Sequence, residues 1–211
     1  MKHDERALLT RLGKVLPMGN NRGTIILASA SPRRTELMAL AGIQFSVVPA
    51  DICEDVLPGE APADHVIRLS REKADAVAAT NDGRFFIGAD TIVVLDGAIL
   101  GKPADAADAI RMLSGLSGRD HEVITGFTVF DKISGVHISR SVCTEVTFKK
   151  LEEHEIAAYI ATGCPMDKAG AYAIQGGAVH FVRSISGSYS NVIGLPMTEL
   201  YEVLQTMQAV E

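Results

Sequence analysis

The sequence predicts an α/β fold in which a mixed, twisted sheet is flanked by helices. Segments with strand and helix periodicity alternate along the chain, and the middle is rich in hairpins. The 211 residues are 47% hydrophobic and 22% charged, which is enough apolar material for a large core. This length accommodates one large domain or two lobes that share a central cleft, and the second arrangement is expected.

The first strand and helix are joined by a short polar segment. Residues 24–28 (TIILA) form an apolar run typical of a buried strand, and residues 33–42 have helical spacing. Ser31 can cap this helix, with Pro32 as its first residue and Gly42 at its end. The segment between them therefore lies at a helix N-terminus.

A hairpin is predicted in the middle of the chain. Residues 84–95 form an apolar run, Asp96–Gly97 is typical of a two-residue turn, and residues 98–103 return along the run. The same periodicities define the remaining elements. They are a strand at 45–50, two or three strands within 121–151, helices at 62–80, 104–118, 151–163 and 195–207, and a glycine-rich stretch at 167–194.

Residues 1–22 are interpreted as an N-terminal extension that precedes a single domain at 23–211. A short amphipathic helix is expected within it, because apolar residues recur at helical spacing: Leu8, Leu9, Leu12 and Val15. Charged residues interrupt any apolar core, so the segment does not resemble a signal peptide. No apolar run approaches the ~18 residues of a membrane span. A cytoplasmic protein without a membrane partner is expected.

Charge and cysteine content narrow the function further. The net charge of −6 argues against binding of polymeric DNA or RNA, although a few local cations can still hold a small anion. The three cysteines lack CxxC spacing, which suits a reducing compartment and buried or idle thiols. The six histidines show no metal-binding spacing.

The motif ASASPRR, residues 28–34, follows the first strand and opens the first helix. A helix N-terminus already carries partial positive charge, so Arg33 and Arg34 are unfavourable there unless an anion balances them. Guanidinium groups match phosphate oxygens, and serine hydroxyls can donate to the same group. The motif is consistent with a phosphate site. Taken alone, it slightly favours the alternative, an exposed helix start whose arginines face water.

Asp90 lies in the run FFIGADTIVVL, whose two alternating faces are both apolar. An ionised carboxylate buried there is costly unless it pairs with a cation or a metal ion. A functional role is favoured over the structural alternative of backbone hydrogen bonds or an arginine partner. Gly88 leaves room nearby for a ligand or for another segment of the chain.

Two lysines are candidates for the same region. Lys73 stands beside the apolar stripe of the helix at 62–80, where extension of its amine to the rim is more common than burial in a polar cleft. A two-residue turn in the hairpin places Lys102 opposite Thr91, the neighbour of Asp90 in the chain. This pairing predicts that Lys102 lies near Asp90, without placing them on one face.

Two further segments contain polar residues with possible roles in a site. The acidic turn at 51–55 is typical of a solvated loop, but its Glu54 together with Asp90 offers oxygen ligands to Mg²⁺. The segment DKAGAYAIQG, residues 167–176, places Gln175 among small residues that permit close approach of a ligand. GSYSN, residues 187–191, lacks the GxSxG pattern and an evident histidine partner, which disfavours a serine hydrolase.

Together these motifs resemble the Maf family of nucleoside triphosphate pyrophosphatases. The resemblance runs from about Thr24 to the C-terminus and rests on ASASPRR, RLSREKA, GADTIVV, GKP and DKAGAYAIQG, in that order. It implies an α/β fold with two lobes around a deep cleft, commonly as a homodimer. It also implies hydrolysis of nucleoside triphosphates to monophosphate and pyrophosphate with a divalent metal cofactor, Mg²⁺ or Mn²⁺.

The resemblance also assigns roles to individual residues. The triphosphate contacts are Ser29, Arg33, Arg34, Lys73 and Lys102, and the metal and water contacts are Glu54 and Asp90. Asp90 is the expected proton acceptor, so the catalytic set comprises Asp90, Glu54, Lys73 and Lys102. The combination of Arg33, Thr91 and Gln175 is similar to the branch that acts on dTTP and UTP. The amide of Gln175 offers a donor and an acceptor that complement O4 and N3–H of thymine and uracil.

The expected reaction is hydrolysis of dTTP and UTP, with modified pyrimidine nucleotides as further substrates. Water attacks the α-phosphorus with metal assistance, Asp90 accepts the proton, and the cations stabilise the departing pyrophosphate. Two alternatives remain open. One is a pyrophosphatase for 7-methyl-GTP or another non-standard nucleotide, and the other is a nucleotide-binding regulator of cell division with negligible turnover.

Overall fold

The computed structural model describes residues 22–211, so the predicted N-terminal helix lies outside the described residues. A seven-stranded sheet forms the centre of this part. Its strands are β1 (Ile25–Ala28), β2 (Ser46–Val47), β3 (Phe85–Leu95), β4 (Ala98–Leu100), β5 (Asp120–Asp131), β6 (Val136–Phe148) and β7 (Val182–Ser186). The helices are α1 (Pro32–Leu40), α2 (Pro62–Thr80), α3 (Ala106–Leu116), α4 (Glu153–Ala161), α5 (Tyr189–Ile193) and α6 (Met197–Thr206), with 3₁₀ turns at Cys164–Asp167 and Ala169–Ala171.

The sheet is mixed, as the sequence predicts. The strand order is β2-β1-β3-β5-β6-β7, with β4 paired to β3. β1 runs parallel to β2 and β3, and all the other pairs are antiparallel. β3 therefore joins the parallel and antiparallel parts, and it is buried along almost its whole length. The two-residue turn after β3 gives the predicted hairpin register, with Leu95 opposite Ala98 and Val93 opposite Leu100.

Two elements differ from the sequence-based expectation. The stretch predicted only as glycine-rich contains β7 and α5, and the strand expected at 45–50 is reduced to Ser46–Val47. β7 pairs with β6 at the sheet edge and is only half-buried or exposed, so it lacks the apolar run that marks an inner strand. The α1 boundaries agree with the prediction, although the Ser31 side chain makes no capping hydrogen bond.

Helix α2 packs directly on the backbone of the sheet. A Cβ atom at Gly88 would lie 1.9 Å from the carbonyl oxygen of Ser70, and one at Gly126 would lie 2.4 Å from that of Val66. Any side chain at either glycine would push the helix away. Of the two occupants expected beside Gly88, a ligand or a chain segment, the structure has a chain segment, helix α2. This close approach brings the C-terminal half of α2 against the middle of β3.

Separate clusters of apolar side chains border the central cleft. One cluster packs around α3 and α4 and includes Val93 and Tyr172, which line the cleft. Another packs α2 against β1 and β3 and reaches the cleft at Ala28. No helix in the part of the chain that the structure describes is long and apolar enough to span a membrane.

The cysteines do not occupy the buried positions that the sequence suggested. Cys53, Cys143 and Cys164 are free and exposed. Cys53 lies in the irregular segment before α2, where its Sγ donates a hydrogen bond to Asp55 Oδ2 over 3.2 Å. Cys143 lies on the solvent-facing side of β6, where its small side chain is not needed in the core.

Candidate active site

A cavity of about 690 Å³, the main cavity, opens where β1 ends and α1 begins, beside the middle of β3. It contains every residue that the sequence predicts for the site. These are Ser29, Arg33, Arg34, Glu54, Lys73, Asp90, Thr91, Lys102 and Gln175. The fold thus gathers into one cleft residues that come from one strand, two helices and four connecting segments.

Lys73 links the two acidic residues of the cavity. Its Nζ lies 2.7 Å from Oδ1 of Asp90 and 2.6 Å from Oε1 of Glu54. Lys102 approaches the other oxygen of Glu54, with Nζ 3.3 Å from Oε2. Lys102 and Asp90 are therefore connected through Glu54 and Lys73, as the hairpin register leads one to expect.

The interpretation that Lys73 extends its amine to the rim is wrong. The side chain is almost completely buried and directs its amine into the polar cleft. The tight contact of α2 with Gly88 encloses the lysine stem, and Asp90 supplies the negative charge that a buried ammonium needs. Sequence periodicity could not reveal this orientation, because it depends on how closely the helix approaches the sheet.

The pKa of Glu54 lies below its ordinary value because of the two neighbouring lysines. Partial burial alone would raise its pKa, but hydrogen bonds and charge from Lys73, reinforced by Lys102, hold the pKa below its ordinary value. The carboxylate is about half-exposed and faces the cavity, so it is accessible to a ligand.

Arg34 is buried and binds several parts of the site together. It donates from Nε to the carbonyl of Gly194 (2.7 Å), from Nη1 to Ser29 Oγ (3.2 Å) and to the carbonyl of Ala89 (2.9 Å), and from Nη2 to Thr91 Oγ1 (2.9 Å). Burial lowers the pKa of Arg34, which the negative charge of Asp90 partly opposes. A guanidinium has five N–H groups, so these contacts leave little donor capacity for a phosphate.

Thr91 is similarly engaged within the protein. Its hydroxyl lies 2.9 Å from Oγ1 of Thr125 and 3.4 Å from the carbonyl oxygen of Gly194, in addition to its contact with Arg34. Direct contact of this hydroxyl with a nucleobase would require the loss of one of these bonds. The role of Thr91 in substrate choice stays a prediction.

The side chains of Arg33 and Gln175, unlike those of Arg34 and Thr91, are not engaged in hydrogen bonds within the described part of the protein. Within residues 22–211, neither side chain makes a hydrogen bond or ion pair, and both line the main cavity and a second, adjoining cavity of about 560 Å³. This side cavity also contains Tyr159 and Lys168. Arg33 and Gln175 therefore offer free polar groups where the two cavities meet.

The donor set of the main cavity fits a divalent cation that a substrate helps to hold. Glu54 and Asp90 provide the carboxylate oxygens that Mg²⁺ and Mn²⁺ prefer. In the described residues, no three or more His, Cys, Asp or Glu side chains converge as a complete metal site. A cation between the two carboxylates would need further oxygen ligands, which phosphate groups and water supply.

The sequence-based search overlooked several polar residues at or near the cavity. His65 lines the main cavity, and its Nδ1 contacts Glu60 Oε2 over 2.9 Å. Arg68, which lies within RLSREKA, binds the same carboxylate. A search for metal-binding histidine motifs does not reveal this group, but the i, i+3 spacing of His65 and Arg68 after an LPGE turn places both near Glu60.

Comparison with known proteins gives consistent matches. The model of the Maf-like protein family matches residues 24–207. A protein of Geobacter metallireducens named dTTP/UTP pyrophosphatase is 62% identical over 185 residues, which cover 88% of this chain and 96% of the relative. Proteins of the same name from Geotalea uraniireducens and Syntrophotalea carbinolica are 60% and 53% identical, over 90% and 92% of this chain and 98% and 89% of their own lengths.

Proposed function

The chain belongs to the Maf-like protein family, and we propose that it hydrolyses dTTP and UTP to the nucleoside monophosphate and pyrophosphate. One observation carries this proposal: Asp90 and Glu54 share the ammonium of Lys73 inside a cavity that is also lined by Lys102 and Arg33. Paired carboxylates among cations suit a metal-bound triphosphate. The names of the relatives support the choice of nucleotide.

The triphosphate would lie along the start of α1. Because the Ser31 side chain makes no capping hydrogen bond, it does not satisfy the N–H groups at this helix end, which favour an anion. Arg33 and Lys102 are the cations with the most freedom to contact phosphate oxygens, since the Arg33 side chain makes no hydrogen bond or ion pair within residues 22–211 and Lys102 is mostly exposed. The fifth N–H group of Arg34 adds a further donor.

Asp90 and Glu54 would hold a divalent cation, Mg²⁺ or Mn²⁺. When bound, such a cation polarises phosphate oxygens and lowers the pKa of a coordinated water. Lys73 keeps the two carboxylates at one place in the cavity, and the buried Asp90 would accept the proton of the attacking water. Attack at the α-phosphorus breaks the bond to the β-phosphate, and the oxygen electron pair leaves with pyrophosphate.

The cationic side chains of the cavity would stabilise the leaving group, pyrophosphate. Negative charge increases on pyrophosphate as the anhydride bond breaks, and fixed ammonium and guanidinium groups lower the energy of that state. Lys102 approaches the site through its contact with Glu54, and Arg33 lies at the junction of the two cavities. Both are near the expected path of the triphosphate.

The nucleobase would lie in the side cavity. Gln175 has a free amide there, and one amide can donate to O4 and accept from N3–H of uracil or thymine. Cytosine presents an amino group in place of O4 and no proton at N3. This pattern favours dTTP and UTP over CTP.

The proposal is tested by pyrophosphate release from dTTP, UTP, 5-methyl-UTP, CTP and 7-methyl-GTP, each with Mg²⁺ and with Mn²⁺. We expect metal-dependent turnover that is fastest with the uracil and thymine nucleotides. Preference for 7-methyl-GTP would identify the other branch of the family instead. Tight dTTP binding with no metal-dependent product would indicate a nucleotide-binding regulator.

A homodimer, expected from the family resemblance, and a cytoplasmic location, expected from the cysteine pattern, complete the proposal. Sedimentation of the full chain at several concentrations tests the oligomeric state. A monomer at all concentrations would contradict the dimer and leave the proposed reaction unaffected.

A further inference from the structure

Glu54 lies on a segment that has no regular secondary structure. Residues 48–61 form neither helix nor strand between β2 and α2. An irregular segment has many accessible conformations, and fixing each residue in one of them costs about 1–2 kcal/mol. Specific contacts must therefore hold Glu54 at Lys73, and the structure contains a set of them close by.

A tight turn at the end of this segment presents Glu60. The N–H of Glu60 donates to the carbonyl of Leu57 over 3.1 Å, and the N–H of Leu57 donates to Oε2 of Glu60 over 3.1 Å. Pro58 and Gly59 occupy the two central positions, and the φ of +75° at Gly59 is the geometry of a type II turn. The turn directs the Glu60 carboxylate towards α2.

Arg68 of α2 receives this carboxylate in a bidentate pair. Its Nε lies 2.5 Å from Oε1 of Glu60 and its Nη2 lies 2.8 Å from Oε2. His65 donates from Nδ1 to the same carboxylate, whose side chain is only 8% exposed. Hydrogen bonds from Arg68, and then from His65, hold the pKa of Glu60 far below its ordinary value, although desolvation opposes them. The pair stays ionised at neutral pH.

The same arginine also holds the backbone beside Glu54. Nη2 of Arg68 donates to the carbonyl oxygen of Asp55 over 3.0 Å. Arg68 thus contacts the segment at two points, at Asp55 next to Glu54 and at Glu60 on the far side of the turn. It lies on the helix that provides Lys73, so one rigid element supports both partners of the Glu54–Lys73 contact.

We propose that Glu60 and Arg68 are positioning residues that fix the segment carrying Glu54 and so place this carboxylate for metal binding. The inference rests on the proposed function of Glu54. The support is geometric: a partly buried bidentate pair, reinforced by His65, is attached to the residue next to Glu54. Neither residue touches the substrate in this account.

Glu60→Gln is the most informative variant, because it preserves the side-chain shape and removes the charge. Loss of support for a metal-binding side chain typically costs 10–100-fold in metal affinity or activity. We expect the Mg²⁺ concentration for half-maximal rate to rise about tenfold and kcat to fall, with a smaller change in KM for dTTP. Arg68→Lys removes the pair of guanidinium N–H groups that binds both Glu60 oxygens, so it should change the Mg²⁺ requirement, kcat and KM in the same way.

Glu72→Gln is the matched control. Glu72 also contacts Arg68, with Nη1 3.3 Å from Oε1, but it lies one turn along α2 and is 45% exposed. Exposed pairs of this kind contribute about 0–1 kcal/mol. This variant removes one carboxylate from Arg68 without touching the segment, so it should keep the wild-type metal requirement.

Hydrogen exchange tests the contact itself without requiring activity. Peptides that cover residues 51–61 should exchange faster in Glu60→Gln than in the wild type or Glu72→Gln. Unchanged exchange in Glu60→Gln would overturn the proposal. If the wild type hydrolyses no nucleotide, the proposed function fails, and the exchange result still decides whether this pair fixes the segment.

A double-mutant cycle with Glu54→Gln separates positioning from general destabilisation. If Glu60 acts through Glu54, adding Glu60→Gln to Glu54→Gln should lower kcat little further, because the side chain being placed is already altered. Independent, multiplicative losses would overturn the positioning role. Wild-type kcat in Glu54→Gln would do the same, since the segment would then carry no catalytic group.

Discussion

The main cavity and the side cavity differ in how their polar groups are held. In the main cavity, Lys73 binds two carboxylates and Arg34 donates four hydrogen bonds within the protein. Where the side cavity joins it, the side chains of Arg33 and Gln175 make no hydrogen bond or ion pair within residues 22–211. The two carboxylates, Lys73 and Arg34 are thus held by contacts within the protein, while Arg33 and Gln175 are left for a ligand to contact. Substitutions in the two regions should have different consequences.

The largest effect is expected from Asp90→Asn. Asparagine keeps the shape but loses the negative charge that pairs with Lys73 and the capacity to accept a proton. Removal of a general base lowers rates by about 10²–10⁴-fold, so kcat for dTTP should fall by about that factor. Pyrophosphate release at saturating dTTP and Mg²⁺ provides the measurement.

Asp96→Asn in the turn of the same hairpin is the control for this variant. Asp96 pairs with the exposed Arg119 outside the cavity, and asparagine tolerates its positive φ. It should retain normal turnover. Near wild-type turnover in Asp90→Asn would contradict the role of Asp90.

Arg34→Lys should mainly reduce stability. A lysine cannot reproduce the fork that reaches Gly194, Ala89 and Thr91, and buried acceptors would lose their donors. We expect a loss of about 3 kcal/mol in the free energy of unfolding, measured by urea denaturation, with lower activity as a consequence.

Arg33→Lys is the matching substitution where the side cavity joins the main cavity. Since the Arg33 side chain makes no hydrogen bond or ion pair within residues 22–211, the free energy of unfolding should change by no more than about 0.5 kcal/mol, while KM for the nucleotide rises. Equal destabilisation by the two variants would remove the contrast between the two arginines.

Gln175→Glu should alter substrate preference with little effect on folding. An ionised glutamate accepts but does not donate, so it loses the contact to O4 of uracil while its size is unchanged. Loss of one such hydrogen bond corresponds to about a tenfold fall in the UTP-to-CTP ratio of kcat/KM. An unchanged ratio would place the nucleobase away from Gln175.

The smallest effect concerns acidification and involves His121, behind the main cavity. Its Nε2 lies 2.8 Å from the hydroxyl of Tyr172, which lines the cavity, and Nδ1 has no partner among the described residues. Burial lowers the pKa of His121 to about 4. Below about pH 6.5, His121 is therefore protonated in the unfolded chain but stays neutral in the folded protein. The free energy of unfolding decreases as the pH falls from there towards 4.

At pH 6 this loss should be about 1 kcal/mol relative to pH 8. Urea denaturation of the wild type and of His121→Phe at both pH values isolates the contribution. The phenylalanine variant should lack this part of the pH dependence of stability. An identical pH dependence in the two proteins would show that a group other than His121 causes it.

The sequence was sufficient to predict the order of most elements and the contents of the cleft. ASASPRR lies at the end of β1 and GADTIVV lies within β3, so regular secondary structure fixes the direction of most of their side chains. The hairpin register followed from one turn, Asp96–Gly97. These features depend on neighbours in the chain, which periodicity and turn chemistry describe well.

The features that the sequence did not reveal depend on distant contacts. The orientation of Lys73 follows from the approach of α2 to Gly88, and Arg34 donates to Gly194, 160 residues away. The contact of Arg68 with Asp55 joins a helix to an irregular segment. Contacts between residues so far apart in the chain leave no local sequence pattern. The number of Arg34 N–H groups that remain free for a phosphate could therefore only be determined from the fold.

The destination of the water oxygen distinguishes attack at the α-phosphorus from attack at the β-phosphorus. A single turnover of dTTP in ¹⁸O-labelled water with Mg²⁺ should place the label in dTMP, because the hydroxide generated beside Asp90 attacks the α-phosphorus. Mass spectrometry of both products reports this directly. Label in pyrophosphate would show attack at the β-phosphorus and would contradict the proposed arrangement of triphosphate, Asp90 and Glu54 in the main cavity.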